Sequence, residues 1–349
     1  MAKNTPHRTR HDADPDALAR VAERFAVRLT PHLDAAMKAA SPADAYVLAR
    51  QFVPSAAELN ITPDERADPI GDAVHSPVPG IVHRYPDRVL LMPVEVCAAY
   101  CRFCFRRAVV GQDDGLLSAE ALDAAIAYIA AHEDVWEVIL TGGDPLVLSP
   151  RRLADLIARL DAIPHVGVIR LHSRLPIHDP DRVSPALVDA LSVATDSAVW
   201  LAVHANHAAE FTPATRQALG RLSAAGIPLV GQSVLLKGVN DSAEALTALF
   251  RAMVRHRIKP YYLHHPDLAE GTGHFRLSLA EGRRLVKALR GSVSGLCQPT
   301  YVLDIPGGHG KVPVGPDALH GDPDTSGSII VEDPWGHPHR YPPATEEGA

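Results

Sequence analysis

The chain is poor in aromatic residues, at 5% of the total, and holds only six lysines against twenty-eight arginines. It has no apolar run near the roughly 20 residues that a membrane-spanning helix needs, so a helical membrane protein is excluded. A basic stripe with interleaved aromatics is also missing and the net charge is -7, which argues against nucleic acid as a partner. The opening MAKNTPHRTRHDADPD has no apolar h-region and reads as a polar leader, from which a cytoplasmic location is expected. Cysteine is as scarce, four in 349 residues, yet three of the four fall within the eight residues CAAYCRFC: Cys97, Cys101 and Cys104.

That crowding is hard to explain by packing, because Arg102, Arg106 and Arg107 are interleaved with the thiols. A structural disulfide is not expected without a secretion signal, and a zinc site wants a second ligand pair that is absent, though His83 or Cys297 could complete a mixed one. A cubane iron–sulfur cluster normally takes four thiolates, so three leave one iron open to a small molecule. The CxxxCxxC spacing resembles the radical S-adenosylmethionine superfamily, which implies a 4Fe-4S cluster on Cys97, Cys101 and Cys104 with S-adenosylmethionine on the open iron.

Composition and length suit a globular protein with one large core plus appendages. Residues 16–39 carry Leu18, Val21, Phe25, Leu29 and Leu33 at helical spacing, which predicts one long helix, with a second over 42–51. Residues 62–80 read as loop. Short apolar runs then recur at 89–96, 136–141, 166–172, 199–204, 229–236 and 259–265, separated by helical patterns at 118–132, 150–161, 184–194, 212–225, 242–257 and 278–290. This alternation predicts an α/β fold with parallel strands and right-handed crossovers. Six units fit a partial (β/α)6, TIM-like barrel; a doubly wound sheet is the rival. The expected division is an N-terminal helical extension (1–82), the barrel (83–291) and a C-terminal segment (292–349) with a strand in YVLDI and a Pro/His-rich tail.

A barrel gathers chemistry at the carboxyl ends of its strands. Cys97, Thr141-Gly142-Gly143-Asp144, His172-Ser173-Arg174, His204 to His207, Lys237 with Asn240-Asp241, and His264 to Asp267 all follow strand-like runs. Any one of these histidines reads more readily as a satisfied loop residue; their joint placement is the signal. In PGGHGK the glycines present Lys311, but a phosphate-binding P-loop is excluded because Ile305 and Val312 stand where it needs glycine and a hydroxyl residue. A lysine on such a loop could form a Schiff base with pyridoxal phosphate. Position along the chain leaves Lys237 and Lys311 as candidates.

HRYPDRVLL (83–91), CRFCFRR (101–107), the TGGD turn, GVND (238–241), PYYLHHPDL with GHFR (260–276) and PGGHGK (306–311) together resemble the lysine 2,3-aminomutase family, in collinear order over about residues 45–315. The resemblance implies that Lys311 carries pyridoxal 5′-phosphate, with Arg84, Tyr85 and Arg88 on its phosphate. It implies S-adenosylmethionine contacts from Gly142, Gly143, Asp144, His204 and Gln232. It further implies that Arg106 pairs with the substrate α-carboxylate while Asp267 and Asp304 clasp the ε-ammonium of lysine. An isomerase converting L-lysine to β-lysine with a low-potential electron donor is expected, without nucleic acid or membrane partners; whether it is a monomer or a homo-oligomer is left open. His309 departs from the all-glycine loop of many relatives. The zinc-binding C-terminal cysteines of longer relatives are absent, so no zinc is expected. The alternatives are an aminomutase serving modification of elongation factor P and, in another class, a non-catalytic iron–sulfur or zinc module.

Overall fold

Each apolar run becomes a strand buried between helices, as parallel sheets require. In the computed structural model, which describes residues 14–111, 115–320 and 329–341, a nine-stranded sheet runs in sequence order. Its strands are β1 (Ile81–Tyr85), β2 (Arg88–Val94), β3 (Glu137–Gly142), β4 (Val168–Ser173), β5 (Ala198–His204), β6 (Leu229–Val234), β7 (Ile258–His264), β8 (Thr300–Asp304) and β9 (Lys311–Pro313). From β2 to β8 every pairing is parallel, and only the edge strands β1 and β9 are antiparallel to their neighbours. Since β1 and β9 do not pair with each other, the barrel is partial, as the alternation of runs predicts. Thirteen residues of the expected leader, 1–13, lie outside the described residues.

The crossover helices owe their starts to Ser or Thr caps. Helices α4 (Ala119–Ala130), α5 (Pro150–Asp161), α7 (Pro185–Leu191), α8 (Pro213–Ala224), α9 (Ala243–Arg255) and α10 (Leu279–Leu289) are each preceded by a residue whose hydroxyl accepts an amide of the first turn. In α5, α7 and α8 proline occupies the first helical position, where its missing N–H costs nothing. A short α6 (Leu175–His178) follows β4. On α5 the stripe Leu153, Leu156, Ile157 and Leu160 is buried against the sheet, in one core with Val138, Leu140, Ile169, Leu171 and Leu201.

The single helix expected over 16–39 is two. Helix α1 (Pro15–Arg24) ends before the buried Phe25, and α2 (Pro31–Ala39) starts afresh with Thr30 Oγ1 accepting the Leu33 amide at 3.2 Å. Pro31 explains the break, since it would remove a hydrogen bond and clash in a continuous helix. Helix α3 (Pro42–Phe52) lies where expected. Strands β10 (Leu319–His320), β11 (Ile329–Glu332) and β12 (Pro338–Tyr341) form a separate antiparallel sheet that the apolar pattern did not suggest. No helix among the described residues is long and apolar enough to cross a membrane.

Candidate active site

The carboxyl ends of the strands surround a cavity of about 690 Å³. Lining it are all the site residues that the family resemblance implies: Arg84, Tyr85, Arg88, the three cysteines, Arg106, Gly142, Gly143, Asp144, His204, Gln232, Asp267, Asp304 and Lys311. Lys237 and Asp241 border a different, smaller depression with Glu281 and Arg284. Of the two candidate lysines, therefore, only Lys311 faces the cavity. His207 and His265 are loop residues with local partners: the His207 ring accepts the Ala209 amide, and His265 Nδ1 pairs with the Tyr301 hydroxyl at 2.7 Å. Asn240 braces two loops by donating to the carbonyls of Asn206 and Val234.

At one end stand the free thiols of Cys97, Cys101 and Cys104. Burial pushes all three toward the neutral form, Cys104 up to about 11, reinforced by neighbouring thiols at Cys97 and Cys104 and by Glu210 and Asp144 at Cys101. Arg174 Nη1 donates to Cys101 Sγ at 2.9 Å and partly opposes this. Three half-buried thiols sharing one cavity wall fit a cationic cluster, whose charge would ionise them. No three His, Cys, Asp or Glu side chains among the described residues converge as ligands of a single ion. The wall is stiff: Glu58, fully buried, receives Arg102 Nη2 at 2.5 Å and also pairs with Arg107, while Arg174 Nη2 donates to Gln51 at 2.6 Å and Glu210 at 2.7 Å. Burial would raise the Glu58 carboxyl, but the two guanidiniums prevail and lower it.

The Gly142-Gly143 turn packs against the chain leading to the thiols. A Cβ on Gly143 would lie 2.3 Å from the Val96 carbonyl oxygen, so glycine lets β3 close on the segment before Cys97. The neighbouring Asp144 spends its carboxylate internally, accepting from Ser173 Oγ at 2.7 Å and from the amides of Arg174 and Leu146. These bonds fix the Asp144 carboxylate at the cavity wall beside the Gly142-Gly143 backbone. His204 pairs with Asn206 at 3.1 Å and stacks edge-on to Phe103; Gln232 lies 3.4 Å from His172. Burial keeps both His172 and His204 neutral by lowering their pKa well below the usual value.

At the other end β9 delivers Lys311 beside β8. Its Nζ pairs with Asp304 Oδ2 and lies 3.3 Å from His264 Nδ1, while its amide donates to the Tyr85 hydroxyl at 2.7 Å. Burial would raise the Asp304 carboxyl, but the His264 hydrogen bond and the Lys311 charge hold it at about 2. Asp267 has the opposite fate: burial and the neighbouring charge of Asp304 raise it to about 7. Its Oδ1 is buried with no hydrogen-bond partner, an acceptor turned toward the cavity that suits a cationic ligand.

Asp72 joins two residues that the sequence treats separately. It accepts from Arg106 Nε at 2.9 Å through one oxygen and from Arg84 Nη2 at 3.2 Å through the other. Next to it Gly71, at φ +67°, sits against the glycine loop, where a Cβ would come within 2.7 Å of Gly308 N. Arg84 also donates to the Ile70 carbonyl at 2.7 Å, and its buried Nε has no partner. Arg88 lies 3.9 Å over the Tyr85 ring. Two guanidiniums and a phenol around an orphaned N–H fit a phosphate. His309 is exposed.

Sequence reasoning left without a role the cavity residues Arg170, Tyr261 and Tyr262, and Asp72, which pairs with the cavity's Arg84 and Arg106. Arg170 is held across two strands by Glu137 at 2.9 and 3.0 Å, and the Tyr262 ring lies 5.7 Å from Lys311 Nζ. The adjacent tyrosines in PYYLHH were a visible signal, being polar-tipped aromatics at a strand's carboxyl half. Asp72 gave none, because acidic residues are ordinary in loops.

Comparison with known proteins agrees with this geometry. The sequence model of the Radical SAM superfamily matches residues 91–250. The L-lysine 2,3-aminomutase of Acetoanaerobium sticklandii is 41% identical over 304 residues, covering 87% of this chain and 72% of that protein. The enzyme of the same name from Clostridium subterminale is 40% identical over 304 residues, with the same coverage. That from Escherichia coli is 38% identical over 306 residues and aligns over 88% of its own length.

Proposed function

Since this chain belongs to the L-lysine 2,3-aminomutase family of radical S-adenosylmethionine enzymes, we propose that its central cavity converts L-lysine to β-lysine through the residues named above. The reaction is an isomerisation, in which an amino group moves from carbon 2 to carbon 3 of one molecule. The cofactors are a 4Fe-4S cluster, S-adenosylmethionine and pyridoxal phosphate. When bound, they supply hydrogen-atom removal from an unactivated carbon and a conjugated carrier for the migrating nitrogen.

Cys97, Cys101 and Cys104 hold the cluster as thiolates, and the Arg174 guanidinium at Cys101 Sγ offsets their charge. The Gly142-Gly143 backbone and the neutral rings of His172 and His204 border the space for S-adenosylmethionine, with Gln232 beside them. Arg84, Tyr85 and Arg88 take the phosphate of pyridoxal phosphate, and Lys311 provides the attaching amine. Arg106 orients the substrate α-carboxylate, while Asp267 and Asp304 receive the side-chain ammonium. Each charge-assisted hydrogen bond of this kind is worth about 1.5–3 kcal/mol, enough to reject a substrate with a carboxylate at that end. The chain's contribution is thus orientation and exclusion of water around groups that would otherwise react with it. A low-potential electron donor and a cytoplasmic setting, in which thiols stay reduced, complete the reading.

One observation carries it: the three thiols, Lys311, Arg106 and the Asp267–Asp304 pair line a single cavity. To test it, the protein is reconstituted anaerobically with iron, sulfide and pyridoxal phosphate, then incubated with L-lysine, dithionite and S-adenosylmethionine. β-Lysine is the expected product, and Lys311→Ala should keep its iron while losing turnover. Normal turnover in that variant would refute the role of Lys311.

A further inference from the structure

Two of the three charges that the proposed substrate would satisfy are already answered by a group of the protein itself. Asp304 Oδ2 binds the Lys311 ammonium, and Arg106 Nε binds Asp72. The first substitution is chemically close, since Lys311 and a lysine substrate end in the same group. Of the two carboxylates assigned to the substrate ammonium, Asp267 keeps its Oδ1 without a partner.

We propose that in the cofactor-free protein the Lys311 ammonium occupies the site of the substrate's side-chain ammonium on Asp304, so that attaching pyridoxal phosphate to Lys311 opens that site. The inference rests on the functional reading above and adds an order to it: cofactor first, lysine second. Attachment condenses the Lys311 amine with the cofactor's aldehyde. A carbon–nitrogen double bond forms, and one water leaves with the aldehyde oxygen and two of the three Nζ hydrogens. The third leaves as a proton, for which the neutral His264 ring at 3.3 Å is the first acceptor. Nζ, now bonded to the cofactor, no longer serves as a free ammonium on Asp304. The cavity then presents Asp267 and Asp304 with no lysine between them, and a second cation is drawn in. His264 Nδ1, 3.5 Å from Asp304 Oδ2, keeps the freed carboxylate oriented.

The arrangement also protects against futile binding. Lysine held without the cofactor could not react and would obstruct loading at the glycine loop, so a subsite closed until loading favours the productive order. A simple ion pair serving only to stiffen β8 against β9 would instead leave lysine affinity indifferent to what stands at position 311.

The test measures equilibrium binding of radiolabelled L-lysine to full-length protein carrying its cluster but no pyridoxal phosphate. Lys311→Met should bind lysine roughly tenfold or more tightly than the wild type, the factor a freed charge-assisted hydrogen bond gives. Norleucine, which lacks the ammonium, should show no such gain. Lys311→Arg restores a cation and should bind lysine as weakly as the wild type, and Asp304→Asn added to Lys311→Met should erase the gain. Equal lysine affinity in wild type and Lys311→Met, an equal gain for norleucine, or tight binding by Lys311→Arg would each overturn the proposal. Formation of β-lysine by the fully loaded wild type is scored separately; its absence would refute the functional reading and leave these affinities to decide the present one.

Discussion

The two ends of the cavity hold charge in different ways. Around the thiols the ions are locked into the protein: Glu58 between Arg102 and Arg107, and Arg174 between Glu210, Gln51 and Cys101. Around Lys311 the charges pair with groups whose place the proposed ligands would take, Asp304 with Lys311 and Arg106 with Asp72, and the Asp267 carboxylate keeps an oxygen without a partner. The first end is built once, at folding. On the proposed reading the second exchanges its partners during each cycle, which would separate residues that carry stability from residues that carry specificity.

Substitutions at the two ends should therefore fail differently. Cys101→Ala should have the largest effect, losing cluster iron and all turnover, as read by iron content and β-lysine formation. Glu58→Gln leaves two buried guanidiniums short of a countercharge and should cost about 3–5 kcal/mol of folding free energy, measured by anaerobic denaturant unfolding. A Glu58 variant that unfolds at the wild-type midpoint would erase the distinction drawn here.

At the exchanging end, Asp267→Asn should leave folding intact and raise KM for lysine by roughly tenfold to a hundredfold. The pH dependence has a definite sign. Asp267 titrates at about 7, above the ordinary carboxyl value, so in the empty folded protein it stays protonated below that pH while the same group in the unfolded chain has already ionised. Stability of the ligand-free protein should fall as pH rises from the ordinary carboxyl range to about 7, and lysine affinity should rise as Asp267 becomes charged. Both inflections should vanish in Asp267→Asn. Asp72→Asn should have the smallest effect, a change of a few fold in KM, because Arg106 and Arg84 keep other contacts to Thr141 and Ile70.

Much of this was legible because buried parallel strands leave a direct trace, apolar runs of five to eight residues followed by the residues that line the rim. Ser149-Pro150, Ser184-Pro185 and Thr212-Pro213 marked helix starts in plain view. The same signal at Thr30-Pro31 was overridden by a periodicity that counted Leu29, which is in fact exposed. Edge strands β1 and β9 were hard to see because HRY and KVP carry the site and not the core. The roles of Glu58 and Asp72 were invisible for another reason: each meets partners far along the chain, and nothing local distinguishes a bridging carboxylate from a solvated one. Lys311 could be narrowed only to a pair with Lys237 from position alone, and the cavity separates them.

The central claim is that one cavity brings a radical-generating end and an amine-carrying end to bear on a single lysine. Its most direct test is anaerobic turnover of a mixture of unlabelled L-lysine and L-lysine carrying both 13C at carbon 3 and 15N on the α-amino group, followed by NMR of the β-lysine formed. The account predicts 15N bonded to the labelled carbon within the same molecules that supplied it. β-Lysine with the two labels scrambled between molecules, or 15N lost to solvent, would contradict it.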